Sequence, residues 1–275
     1  PDLDSVMYTL AGLNDPVRGW GIQGETWHFM EGLKALGGDT WFRLGDRDMA
    51  THVERTRRLR AKESLSAVTR ALCAHLGIRH AVTPMSDDPV RTLVHTAEGI
   101  LSFQDYFVRR RAGPVVKHLE YAGADKARLA STLRATLDHP SLRAVVICPS
   151  NPYLSIAPLL ALPELRSALE NRRVPVIAVS PIVGGHALKG PAAKIMRELG
   201  KAASSLEIAH FYSGLIDTLV VDHADAALSA EIEKAGIRAL VTATVMTTPE
   251  TRSALAVRII DSERLFARKT ITASR

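Results

Sequence analysis

Four short apolar runs, at 144–148, 174–179, 218–221 and 237–242, alternate with helical segments through the second half of the chain. No other feature constrains the fold as tightly. Runs of this length, bounded by turn residues, suit strands buried on both faces and are too short for buried helices. Helical periodicity separates them, at 125–137, 158–170, 190–199, 223–235 and 249–259. Strands joined through helices pair in parallel with crossover connections. The expected class is therefore α/β: a Rossmann-like, mostly parallel sheet flanked by helices. Earlier helices are expected at 4–13, 25–36, 47–60 and 64–76. Between 78 and 121 the texture changes. There 91–95, 100–107 and 115–121 read as consecutive strands, a small antiparallel insertion. Residues 1–260 thus read as a single α/β domain carrying that insertion, with 261–275 as a polar C-terminal tail.

Composition narrows the function classes. Aromatic residues make up only 5% of the 275, which does not favour an extended stacking platform for nucleic acid. The net charge of +6 suits small anionic substrates as well as polyanions. Cys73 and Cys148 lie in apolar stretches, so buried free thiols and a cytoplasmic setting are expected. No apolar run reaches the roughly 18 residues of a membrane span. The chain opens on Pro1 without a recognisable signal peptide.

The chemistry is concentrated at 43–52, where Arg43, Asp46, Arg47, Asp48, Thr51 and His52 crowd into ten residues. A solvated helix face spreads its charges, and a core segment excludes most of them. Asp46 also reads as a helix N-cap. Asp48 and His52, four apart, share a helix face, as a metal pair or a simple polar contact. Asp2 and Asp4 open the chain ahead of a helix, as caps or as paired carboxylates for Mg²⁺. Gly19-Trp20-Gly21 sets an indole between two flexible residues.

Two loops follow expected parallel strands directly: Pro149-Ser150-Asn151-Pro152, and Ser180-Pro181-Ile182-Val183-Gly184-Gly185. Ligands of open α/β sheets bind at the carboxyl ends of strands. Lys189, just before the expected helix at 190, adds an ammonium suited to an anion. Either loop alone also reads as an ordinary turn. The basic run Phe107-Val108-Arg109-Arg110-Arg111 reads as a solvated face, with a phosphate or RNA contact as the minority alternative. Neither a GxSxG elbow nor a Walker loop is present.

Taken in order, these pieces form a pattern: the PDLDSVMYTL opening, Gly19-Trp20-Gly21 with Glu25-Thr26-Trp27, LGDRDMATH at 44–52, Phe103-Gln104-Asp105-Tyr106-Phe107-Val108-Arg109, and the two strand-end loops. The set resembles the 2-phospho-L-lactate transferases of coenzyme F-420 biosynthesis, the CofD family, over about residues 1 to 255. The resemblance implies an Mg²⁺-assisted reaction. The acceptor would be the deazaflavin Fo (7,8-didemethyl-8-hydroxy-5-deazariboflavin). The donor would be a guanosine diphosphate carrying 2-phospholactate, phosphoenolpyruvate or 3-phosphoglycerate, and GMP would leave. The implied roles are Asp4, Asp46 and Asp48 at the reaction centre, with Asp2 and Asp4 on the metal. Asp4, Trp20, Arg43, Thr51 and His52 would contact Fo, while Ser150, Asn151, Pro152, Ser180, Pro181, Gly184, Gly185 and Lys189 would hold the nucleotide. Relatives carry a further strand and a glycine-rich phosphate loop upstream of the PDLD-type opening, which the 275 residues do not include. No nucleic acid or membrane partner is implied, and a homodimer is the default assembly. The alternative is a nucleotide-sugar-binding regulatory protein of the same fold.

Overall fold

Local capping and apolar runs set out the elements of the computed structural model, which describes residues 3–273, with side chains to 262. The chain divides into two compact units. The first holds residues up to Val94 together with Ile100–Pro114 and Tyr121–Asp138, and the second holds His95–Gly99, Val115–Glu120 and the chain from His139 on.

The first half of the chain is built on α1 (Leu3–Leu10), α2 (His28–Ala35), α3 (Asp46–Arg60) and α4 (Leu65–His75). Helix α4 starts where the Ser64 hydroxyl accepts the Ala67 N–H, at 3.2 Å, and it packs on α3. Arg57, Arg58 and Arg60 fill the last turn of α3, where they complement the helix dipole. Met7, Tyr8, Met30 and Val68 are buried in this unit. Three strands follow, β1 (Arg91–Thr96), β2 (Gly99–Ser102) and β3 (Val116–Ala122), in a small antiparallel sheet of order β2-β1-β3.

The strand expected over 100–107 stops at Ser102. There the Asp105 N–H turns to the Ser102 hydroxyl, and Asp105–Arg109 form one turn of π-helix, with Phe103 and Phe107 stacked 5.3 Å apart. The helix expected from 125 begins at Ser131, as α5 (Ser131–Leu137). Residues ahead of it are held off by hydrogen bonds from the Arg128 and Ala130 N–H groups to Asp88 and the Met85 carbonyl.

The second unit carries the parallel sheet: β4 (Val145–Ile147), β5 (Val176–Val179), β8 (Thr218–Val221) and β9 (Arg238–Val241), in the order β4-β5-β8-β9, with the short hairpin β6 (Ile182–Val183) and β7 (His186–Ala187) between. Strands β5 and β8 are buried throughout, as near-continuous apolar runs require. Register pairs Val145 with Val176, Ile177 with Thr218, and Thr218 with Arg238. The connecting helices are α6 (Ala157–Leu160), α7 (Pro163–Glu170), α8 (Ala192–Glu198), α9 (Ser205–Phe211) and α10 (Ser229–Lys234), followed by α11 (Pro249–Ala273).

Leu255 and Ile259 of α11 pack onto Ile177, Val179, Val220 and Leu240. Each such side chain contributes about 2 kcal/mol by leaving water. The expected tail from 261 is helical up to Ala273, because no glycine or proline interrupts 250–275. Cys73 is buried as expected, but Cys148 is exposed, at the end of edge strand β4, where Val146 is also open to solvent. No described helix is long and apolar enough to cross a membrane.

Candidate active site

In the first unit, α1 and α3 bring Asp4, Tyr8, Asp48, His52 and Arg55 together. Asp4 and Tyr8 are one helical turn apart on α1, and Asp48, His52 and Arg55 repeat that spacing on α3. Tyr8 donates its hydroxyl to Asp48 Oδ1 at 2.7 Å, in the interior. His52 Nε2 lies 3.6 Å from Asp48 Oδ1 and 3.7 Å from Asp4 Oδ2. Arg55 grips both oxygens of Asp4, with Nη1 to Oδ2 at 2.9 Å. Asp4, Asp48 and His52 each offer one ligand atom, all within 4.8 Å of one another.

Burial pushes the Asp48 carboxyl above its ordinary value, and the nearby Asp4 charge adds to this, while Tyr8 and His52 oppose it. Burial also pushes the Tyr8 phenol far up, against the pull of a hydrogen bond with Thr51. Tyr8 and Arg55 are therefore members of the cluster that sequence reading left without a role. Their signal was the helical spacing from Asp4 and from His52. Asp2 lies outside the described residues.

Asp46 does different work. It sits one place inside α3, whose N-cap is Gly45, and its carboxylate reaches away to the start of α2. There it accepts the Thr26 hydroxyl at 2.6 Å and the N–H groups of His28 and Phe29 at 3.1 and 3.0 Å. These donors, the Thr26 hydroxyl foremost, hold the Asp46 carboxyl below its usual range. Glu25 returns the favour by accepting the Arg47 and Asp48 N–H groups at 2.8 and 2.9 Å, which caps α3. A Cβ on Gly45 would fall 2.1 Å from the Glu25 carboxyl carbon, so a side chain there would displace Glu25 from this cap.

Around Trp27 lies a stack of cations and rings. The Arg43 guanidinium carbon sits 4.1 Å over the Trp27 ring, and that of Arg18 sits 5.3 Å from it. Trp20 meets Trp27 edge-on at 6.2 Å and is 40% exposed. The basic run is partly folded back: Arg109 lies over Trp41 at 5.7 Å, and both Arg109 and Arg110 reach Asp105 at 3.9 Å.

In the second unit, the parallel pairing of Ile147 with Ala178 sends the loops after β4 and β5 out from the same sheet edge. Asn151 accepts the Tyr153 and Leu154 N–H groups through Oδ1, at 3.0 and 3.1 Å. Its Nδ2 is buried with no hydrogen-bond partner among the described residues. Pro152 is buried and Ser150 half-buried.

Ser180 is buried, and its hydroxyl is taken up by Ile182 and, at 2.9 Å, by Ser205. Ser205 in turn donates to Asp225 at 3.0 Å, and Asp225 accepts the Gly184 N–H. Ser180 is thus a strut of the loop, while Gly184 and Lys189 are exposed and Pro181 and Gly185 half-buried. Ser205 and Asp225 were not among the residues expected here. The Ser204-x-x-Glu207 capping signature could have pointed to α9, since Ser204 accepts the Glu207 N–H.

Fold and site define a Rossmann-like α/β protein with a partly buried cluster of two carboxylates and an imidazole. The family described as 2-phospho-L-lactate transferase CofD matches residues 1–261, and the chain belongs to it. A 2-phospho-L-lactate transferase of Methanosarcina mazei is 37% identical over 262 residues, 95% of this chain and 85% of that protein. A phosphoenolpyruvate transferase of Streptomyces griseus is 41% identical, over 93% of this chain and 82% of its own length. Another, of Mycolicibacterium smegmatis, is 37% identical over 93% of this chain and 80% of its own length. A crystal structure of a Bacillus halodurans protein superposes with a TM-score of 0.59 at 13% identity, covering 92% of this chain and 82% of the other, which shows a shared fold. The chain is a transferase of the CofD family.

Proposed function

We propose that the protein transfers a phosphate-linked three-carbon acid from a guanosine diphosphate donor to the deazaflavin Fo in coenzyme F-420 biosynthesis, releasing GMP. The observation that carries this reading is the convergence of Asp4, Asp48 and His52 in a chain of this family. The terminal ribityl hydroxyl of Fo attacks the β-phosphorus of the donor. An O–P bond forms there, and the bond to the bridging oxygen breaks, so that GMP departs with that oxygen. Phosphoryl transfer of this kind depends on positioning and charge neutralisation.

Asp4 orients the attacking hydroxyl, and Asp48, held by Tyr8, takes its proton. Arg55 fixes Asp4, and His52 and Thr51 line the same centre. Two carboxylates fit Mg²⁺, and Asp4 and Asp48 are the ligands this chain offers, with His52 beside them. When bound, the ion would neutralise phosphate charge at the reacting centre. Arg43 and Trp20 belong to the acceptor's ring end. Asn151, whose Nδ2 has no partner among the described residues, serves the guanosine diphosphate part with Ser150 and Pro152, as do Pro181, Gly184, Gly185 and Lys189 from the segment that Ser180 braces.

Incubating the protein with Fo, Mg²⁺ and each of the three donors, then weighing the product, tests the reading. One donor should give a deazaflavin heavier by its acid and phosphate, together with one GMP per product. Absence of product with all three would overturn it.

A further inference from the structure

We propose that Trp27 is the positioning residue of the acceptor site: it holds the Arg43 guanidinium flat so that its outer face stacks on the planar deazaflavin ring. This rests on the transferase reading above. Arg43 is exposed and makes no hydrogen bond or ion pair among the described residues, yet its guanidinium carbon lies 4.1 Å over the Trp27 ring. An arginine freed of acidic partners offers a flat, weakly hydrated π surface, which suits an aromatic ring better than a lysine would.

The indole beneath is itself held. Arg18 sits 5.3 Å from it, anchored 2.9 Å from Asp15 and 2.7 Å from the Ile22 carbonyl oxygen, and Trp20 closes in edge-on. The backbone that carries Trp27 is stapled on both sides to the first turn of α3. Glu25 accepts the Arg47 and Asp48 N–H groups, and Asp46 accepts those of His28 and Phe29. That turn also bears Asp48. The ring seat is therefore tied by short hydrogen bonds to the backbone that carries Asp48, and a ring docked on Arg43 has a fixed register against that side chain. Orientation of this kind separates productive from idle binding.

Fo binding, followed by its own fluorescence, and GDP binding, followed by calorimetry, test the proposal on four proteins. Against the wild type, Trp27→Leu should weaken Fo about tenfold, the range of a desolvated cation–π contact, and leave GDP unchanged. Trp27→Phe, which keeps a π face, should retain most of the affinity. Arg43→Lys, which keeps the charge but loses the plane, should fall as far as Trp27→Leu. In turnover the loss should appear in the KM for Fo more than in the KM for the donor. Fo affinity unchanged in Trp27→Leu or in Arg43→Lys would overturn the platform. A loss of GDP binding in place of Fo binding would overturn it too. If Trp27→Leu does not fold, the contrast between Trp27→Phe and Arg43→Lys decides. Failure of the wild type to bind Fo would instead bring down the acceptor assignment itself.

Discussion

Asp46 illustrates how one carboxylate in a charged run can brace a helix start while its neighbour two places on turns into the buried cluster. Its oxygens are taken by Thr26, His28 and Phe29, whereas Asp48 turns inward to Tyr8 and His52. The consequence for pH follows from the direction of the shift. The Asp46 carboxyl titrates below its ordinary value of 3.8 in the folded chain. Its contribution to stability is therefore present above that value and is lost as pH falls through the folded value. Thermal melts of the wild type should lose stability as pH falls below about 4, and Asp46→Asn should show a lower melting temperature with a shallower fall there. Parallel pH profiles for the two proteins would show that the carboxylate is not the anchor of α2.

At the scale of elements, the start of α3 depends on a glycine for its space. Gly45→Ala should drive the Glu25 side chain off the Arg47 and Asp48 N–H groups. The cost should be about 1–2 kcal/mol in urea denaturation, the worth of a lost N-cap. Amide exchange should quicken at Arg47 and Asp48, and unchanged exchange there would contradict the staple.

The strands β4, β5, β8 and β9 were legible because fully buried parallel strands write themselves as apolar runs. The end of β2 was not legible, since Phe103, Tyr106 and Phe107 keep an apolar texture while the backbone leaves the sheet for a π-turn. Within the site, Asp4, Asp48 and His52 were visible through helical spacing and family likeness. Arg55 had only its helical spacing from His52 to mark it and Glu25 only its place beside Thr26 and Trp27, because their partners lie 51 and 22 positions away and only the folded chain brings them together. Asp46 misled for a related reason: beside a helix start a local cap is the natural reading, but its partners are 17 to 20 positions upstream.

For the whole molecule, the features described fall into the two compact units. The carboxylate cluster and the aromatic platform belong to the first, and the strand-end loops of the parallel sheet belong to the second. The second unit spends buried hydrogen bonds among Ser180, Ser205 and Asp225 on bracing one of those loops. Exposed Gly184 and Lys189 then border a firm frame. The central claim is that Asp4 and Asp48 perform the transfer for which this architecture is built. Its most direct test is Fo-dependent release of GMP by the wild type, Asp4→Asn and Asp48→Asn, each first shown to be folded by its melting curve. The account predicts one GMP per modified Fo in the wild type, and a loss of at least about a hundredfold in either variant, as expected for removal of a group that takes part in proton transfer. GMP released without Fo, or either variant turning over at the wild-type rate, would contradict it.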